Sequence, residues 1–306
     1  MTAQPRKITH YNVVILPDLS NRLTRSNHLP DIGIVDTLVH NIYPTIARTG
    51  RFTNQRDQYR VVLSNSRLGN VYHADFSKMS IDLGAFESRQ RDRIDYLAGR
   101  NKVRNFSMDA AAFVNEFTRI ETLASRNAYG ADIWSFLNAG IDQGLVVNPG
   151  TVFSSNNQQF QNIHRNILIL FTDGYIEAGL SANQGCDGKQ CRYLGEQLIK
   201  AFRKAFKSRK NKSESLQDFF VRNQYGITAI NNPYLKNFEI LLLEADDRSL
   251  TKTGNVTVIP TDFEIIKLFW EDWMRKSGVQ HFEIYSLSRD AREAKSRIFS
   301  FMNVKP

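Results

Sequence analysis

Two short segments of the chain carry residue types that could act on one ligand. Pro17-Asp18-Leu19-Ser20-Asn21-Arg22 offers a carboxylate with a hydroxyl two residues on, and Thr172-Asp173-Gly174 offers both together. Gly174 gives the backbone freedom to turn tightly just past Asp173. Paired carboxylates with Ser or Thr hydroxyls make a hard-oxygen site, the kind that holds Mg²⁺ through one or two direct ligands and several waters. An aspartate in such a place is also an ordinary turn former or helix cap, so the chemistry depends on whether the two segments meet.

A sheet would bring them together. Apolar runs at residues 12–16, 59–63, 166–171 and 238–243 are short, β-branched and bounded by polar or turn residues, which fits strands buried on both faces. Residues 282–285 form a shorter candidate, and residues 71–74 an edge candidate. Helical spacing fills the gaps. It links Ile32, Val35, Leu38, Val39, Ile42 and Ile46, with Pro44 as a kink or end; then Phe113, Phe117 and Ile120; then Ile133, Leu137 and Ile141. Thr261 and Glu264 read as a capping box opening a helix that carries Ile265, Leu268, Phe269 and Trp273 and stops near Gly278. A last helix is expected from around Ser288 to Met302. This alternation predicts an α/β fold, a Rossmann-like, mostly parallel central sheet with helices on both faces. Ligands of such sheets bind outside the carboxyl ends of the strands, where Asp18 and Asp173 both fall. With no linker between halves, a single domain over 1–306 is expected, with insertions at about 76–108 and 175–236.

The combination resembles the von Willebrand factor A-type (vWA) domain family. Its metal-ion-dependent adhesion site (MIDAS) uses D-x-S-x-S after the first strand, a threonine in a loop before a later helix, and an aspartate, commonly in T-D-G, after the fourth strand. The resemblance covers almost the whole chain in element order and implies Asp18, Ser20 and Asp173 as metal ligands, with Thr172 and Gly174 completing T-D-G. Two positions depart from the pattern. Arg22 stands where the family has its second serine, and Ala131, in Tyr129-Gly130-Ala131-Asp132-Ile133-Trp134, stands where it has threonine. The implied site is therefore degenerate. Turned inward, the Arg22 guanidinium would compete with the metal for Asp18 and Asp173, an attraction of about 4 kcal/mol for unit charges roughly 4 Å apart at an effective dielectric of 20. Turned outward, it would leave three oxygen ligands and waters to hold Mg²⁺ weakly. Asp132 is a substitute oxygen ligand or simply an acid favourable to a helix start.

What the resemblance implies is a binding module rather than an enzyme, its strand-tip face meeting an acidic partner protein through loops near 19–31, 129–132 and 174–192. Intracellular bacterial members of the family act beside AAA+ ATPases or in other multi-protein systems. The competing reading is an Mg²⁺-dependent nuclease or phosphoryl-transfer enzyme using Asp18, Asp173 and either Asp132 or Asp36 beside a basic surface. No positioned histidine or base supports it: His10, His28, His40, His73, His164 and His281 are scattered without metal-ligand spacing. Phosphate-loop, nucleophile-elbow and dinucleotide fingerprints are absent. A third reading is a metal-free subunit in which Arg22 locks the strand tips.

Bulk properties narrow the rest. With 40 basic and 31 acidic residues the formal charge is +9, and 42% hydrophobic residues exclude long disorder. The charge is concentrated. Lys200, Arg203, Lys204, Lys207, Arg209, Lys210 and Lys212, with Phe202 and Phe206 at helical spacing, read as an amphipathic helix whose basic face is either solvated or a contact for an acidic partner or nucleic acid. More basic residues fall in the 76–108 insertion. No stretch approaches the roughly 20 apolar residues of a membrane span, and the first apolar run is too short for a signal-peptide core, so a cytoplasmic chain is expected. Cys186 and Cys191 cannot complete a zinc site alone and are expected as reduced loop thiols, a local disulfide being the alternative. Trp134, Trp270 and Trp273 fall in expected helices and are read as core.

Overall fold

The side-chain alternation of the apolar runs decides how the layers form. In this computed structural model, which describes residues 4–24, 31–41, 45, 55–64, 66–155, 158–177 and 185–304, the strands are β1 (Arg6–Pro17), β2 (Gln58–Val61), β3 (Ser80–Asp82), β4 (Val152–Ser155), β5 (Gln158–Phe171), β6 (Cys186–Asp187), β7 (Gln190–Cys191), β8 (Gly226–Ile227), β9 (Phe238–Ala245) and β10 (Phe282–Ser286). The main sheet runs β10-β9-β5-β1-β2-β3. From β10 to β2 every pairing is parallel; β3 closes one edge antiparallel, and β4 lies antiparallel on the first part of β5. From β1 the chain builds β2 and β3 on one side, then crosses to β5, β9 and β10 on the other. Strand order therefore reverses between β1 and β5, the place where Rossmann-like α/β sheets open a crevice for ligands.

The helices are α1 (Asp31–His40), α2 (Ser66–Val71), α3 (Gln90–Leu97), α4 (Phe106–Arg126), α5 (Glu196–Lys207), α6 (Leu216–Arg222), α7 (Asp262–Lys276) and α8 (Ala291–Met302). Because strand side chains alternate, Val13, Ile15, Ile167 and Ile169 pack with Val35 and Leu38 of α1, Phe113 and Phe117 of α4 and Ile298 of α8. Val14, Leu16, Leu168 and Leu170 face the opposite layer, with Phe202 of α5, Phe220 of α6 and Phe269, Trp270 and Trp273 of α7. Both faces of the sheet are thus covered. The capping box opens α7 as expected: Glu264 N donates to Thr261 Oγ1 at 3.2 Å, and Thr261 N to Glu264 Oε2 at 2.7 Å.

Several local expectations are corrected. Residues 71–74 are not a strand, because Val71 closes α2 and the chain then turns through His73 at positive φ. The edge strand is β3, so the 76–108 segment contributes to the sheet instead of merely decorating it. The helix expected through Ile141 shrinks to one turn, Ile133–Ser135, followed by a π-turn over Phe136–Gly140. Ile42, Pro44 and Ile46 lie outside the described residues. Cys186 and Cys191, expected as thiols, are disulfide-bonded, since the β6–β7 hairpin sets them opposite each other in register. Among the described residues no helix is long and apolar enough to cross a membrane.

Ile169 is fully buried near the carboxyl end of β5, so Ile169→Ala should cost roughly 2–5 kcal/mol through lost transfer energy and a cavity. Thr261→Ala, which removes one capping bond, should cost about 1 kcal/mol. Urea unfolding with unchanged slope measures both.

Candidate functional site

The register of β1 against β5 sets Pro17 opposite Phe171, so both strands end at the same level. Asp18 N donates to Phe171 O at 2.8 Å, carrying the pairing one residue past the strand. This joins the two chemical segments. Thr172 Oγ1 donates to Asp18 Oδ2 at 2.8 Å and accepts from Gly174 N at 3.1 Å, while Ser20 N donates to Asp18 Oδ1 at 3.1 Å. Asp173 Oδ1 accepts from Tyr175 N at 3.1 Å. Gly174 is required twice over: its φ is 84°, and a Cβ there would lie 2.6 Å from Ile266 Cγ2. Its carbonyl accepts from Trp270 Nε1 at 2.8 Å, which ties the turn to α7.

Each strand-tip carboxylate has a guanidinium beside it. Arg22 turns inward and is buried; its Nε donates to the Asp18 main-chain oxygen at 2.8 Å and lies 4.0 Å from Asp18 Oδ2. Its guanidinium forms an ion pair with Asp31, the first residue of α1. Arg22 therefore does not bridge Asp18 and Asp173. Asp173 has its own cation, Arg248, from the loop after β9, whose Nη2 donates to Asp173 Oδ2 at 2.6 Å. The Arg248 guanidinium carbon lies 3.5 Å from the Tyr175 ring centroid.

Mg²⁺ demands near-octahedral oxygens and carboxylate lone pairs free of competing cations. Here the Asp18 oxygens are engaged by Thr172 and Ser20, Asp173 by Tyr175 and Arg248, and Ala131 supplies no side-chain oxygen. Asp132 accepts from Ser135 N at 2.9 Å and Ser135 Oγ at 2.7 Å, so it caps a helical turn rather than replacing a ligand. Asp36 is half-buried and pairs with His40 on α1. Among the described residues no group of three or more His, Cys, Asp or Glu is arranged to hold a metal. As placed, these residues do not fit the cation that the resemblance implies.

Behind the strand tips lies a buried acidic layer that surrounds Arg22. Glu121 of α4 and Glu244 of β9 join Asp18 and Asp31, all nearly inaccessible. Burial pushes the Asp18 carboxyl up, opposed by the Arg22 charge. Burial, then the charge of Asp31, raises Glu121. Glu244 is raised to about 7, again chiefly by burial, although Ser288 Oγ donates to its Oε1 at 2.7 Å; its Oε2 has no partner among the described residues. Arg22 keeps its charge because Asp31 and Asp18 together outweigh the burial that opposes it.

The basic tract is corrected in one place. Arg203 is buried, donating from Nε to Pro260 O at 2.7 Å and pairing with Asp262, so it fastens α5 to the start of α7. Lys200 pairs with Glu196, and Arg209 lies 3.6 Å from the Phe206 ring centroid. Lys204, Lys207, Lys210 and Lys212 are exposed. His10 and His164 face each other far from the strand tips, and His28 lies outside the described residues, as do 25–30 and 178–184 of the expected contact loops. Arg248 and Glu244 were overlooked among the expected site residues although a signal existed: they end and follow the apolar run of β9, whose tip adjoins that of β5.

No family model matches the chain, and no curated protein sequence matches it. Solved structures with some likeness include the pilus adhesin SpaC from Lactobacillus rhamnosus GG in its open conformation, at 11% identity and a TM-score of 0.34 over 99% of this chain and 30% of that one. A second form of the same adhesin gives 10% identity and a TM-score of 0.33 with the same coverage. The chain thus spans about 30% of the adhesin's length.

Two outcomes follow from the buried charges. Arg22→Met leaves Asp31 and Asp18 without their cation and should cost roughly 3–5 kcal/mol in urea unfolding at pH 8, and less at pH 5, below the raised value of about 6 for Asp18. Glu244 holds its proton in the folded state up to about 7, whereas the unfolded group ionises near its ordinary value of 4.5. Stability from this group is full below about pH 4 and is lost as pH rises through 7. Glu244→Gln should therefore flatten the pH dependence between pH 5 and 8, read by urea midpoints across that range.

Proposed function

We propose that this chain is a protein-binding module of the vWA type in which arginine ion pairs take the place of the metal, and that its strand-tip face engages an acidic surface of a partner protein. The observation that carries this reading is the convergence of Asp18, Thr172 and Asp173 on adjacent strand ends at the reversal of strand order. Arg22 and Arg248 support the metal-independent form of it, because each strand-tip carboxylate has a guanidinium beside it. The absence of turnover belongs to the same reading. The nuclease reading would keep Asp18 and Asp173 but lack the third carboxylate it calls on, since Asp132 caps a helical turn and Asp36 pairs with His40. A component of a multi-protein assembly, such as one built around an AAA+ ATPase, is the class of partner proposed. The exposed lysines of α5 supply a second, electrostatic contact. Cytoplasmic placement meets one opposing observation, the Cys186–Cys191 disulfide, a bond type that persists in oxidising compartments.

Affinity purification of the tagged chain from its native cell, with mass spectrometry, should recover a defined partner in EDTA, and Asn21→Trp on the exposed rim of the face should remove it from a protein that still folds. Recovery unchanged by Asn21→Trp counts against the face. Melting midpoints should be equal in Mg²⁺ and EDTA; a rise with Mg²⁺ that Asp173→Ala abolishes would refute the arginine-filled site.

A further inference from the structure

Arg248 is held on one edge and one face, and its outer edge meets the chain's own surface. The inner edge donates to Asp173, whose side chain is only 8% exposed, and the face lies on Tyr175. The outer nitrogen, Nη1, is 3.6 Å from Glu177 Oε1, on a side chain that is 54% exposed. These two carboxylates play different parts. A short bond to a buried carboxylate immobilises the guanidinium, whereas a long single contact to an exposed one is worth little and exchanges readily. The charge of Arg248 persists in place: burial lowers its affinity for the proton, but Asp173 and Tyr175 more than compensate. The result is a planar, pre-positioned cation at the strand tips, with a weakly held carboxylate on the side that reaches solvent. Pre-positioning of this kind reduces what an incoming group must spend in ordering the receptor.

We infer that Arg248 is the carboxylate receptor of the strand-tip face, and that Glu177 is a built-in occupant which an Asp or Glu side chain of the partner displaces. The inference rests on the proposed function and names the chemistry of its contact. A carboxylate suits the position better than a phosphate, because Asp173 already pairs with the guanidinium and would repel a doubly charged group more strongly than a singly charged one. Glu177 lowers the apparent affinity by holding the receptor part of the time. Its removal should therefore strengthen acidic binding by the worth of an exposed pair, roughly two- to fivefold.

The experiment uses the full chain in EDTA, with the arginine Nε–H signals followed by NMR as a blocked hexaglutamate peptide is added. The Arg248 signal is assigned by its loss in Arg248→Lys. The expected result is a saturable shift of that signal, a two- to fivefold lower midpoint in Glu177→Gln, and at least tenfold weaker peptide binding to Arg248→Lys by calorimetry. Because Glu177 is exposed, its variant keeps the test open even if Arg248→Lys fails to fold. No shift in either the parent or Glu177→Gln, a midpoint indifferent to Glu177→Gln, a requirement for Mg²⁺, or inorganic phosphate acting at lower concentration than the peptide would each overturn the inference. A natural partner captured equally well by folded Arg248→Lys would overturn the receptor role while leaving the strand-tip reading intact, so the two fail separately.

Discussion

The in-register parallel pairing of β1 with β5 is the constraint from which the site follows. It runs from Arg6 opposite Phe160 to Pro17 opposite Phe171, and strands on both sides and helices on both faces exclude water from its carboxyl end. Two acidic segments distant in sequence are thereby placed side by side in a medium where an uncompensated charge is very costly. Everything at the strand tips is a response to that placement. Thr172 supplies a hydroxyl to Asp18, main-chain N–H groups of Ser20 and Tyr175 supply donors, and two arginines supply positive charge.

The two arginines solve different parts of the problem. Arg22 is fully enclosed and faces four carboxyl groups, Asp18, Asp31, Glu121 and Glu244, so one guanidinium cannot balance them all if every one is ionised. Burial raises Glu121 and Glu244, and to a smaller extent Asp18, so each of these groups holds a proton more tightly than an exposed carboxyl would. Arg248 stands at the boundary, with a buried partner on one side and an exposed one on the other. Buried ion pairs of the first type rarely add net stability over a hydrophobic replacement, though breaking one is expensive.

How much of this was legible in the sequence depended on the range of the interaction. The Thr261–Glu264 capping box involves residues three apart, and the geometry that the spacing requires is the geometry found. The apolar runs of β1, β5 and β9 were legible because burial on both faces demands continuous hydrophobicity. β3 was not, because three residues with polar ends carry no period, and its place is set by pairing with β2. Asp18 and Asp173 were legible as candidates from their positions at strand ends. Arg22 was legible as an inward cation beside Asp18, though its pairing with Asp31 of α1 was not, and Arg248 was not, because it comes from the loop after the neighbouring strand β9. The disulfide depended on a hairpin that the polar composition around Gly188 did not announce.

The excess of positive charge takes on a more divided character once its residues are located. Arg203 was counted with the basic tract but is an internal fastener: its guanidinium pairs with Asp262, and Asp262 Oδ2 also accepts from Tyr175 Oη at 2.6 Å. Tyr175 lies under Arg248, which binds Asp173. A continuous run of contacts therefore leads from the strand tip through Tyr175 and Asp262 to the inner face of α5, whose outer face carries Lys204 and Lys207. Contact alone does not make two sites communicate; that requires an element with two arrangements that both sites bias. What the run does establish is mechanical. The basic helix cannot shift relative to α7 without disturbing the pair at Asp262, and that pair shares its carboxylate with the tyrosine on which Arg248 rests. The lysine face and the strand-tip aspartates are therefore held at a fixed spacing.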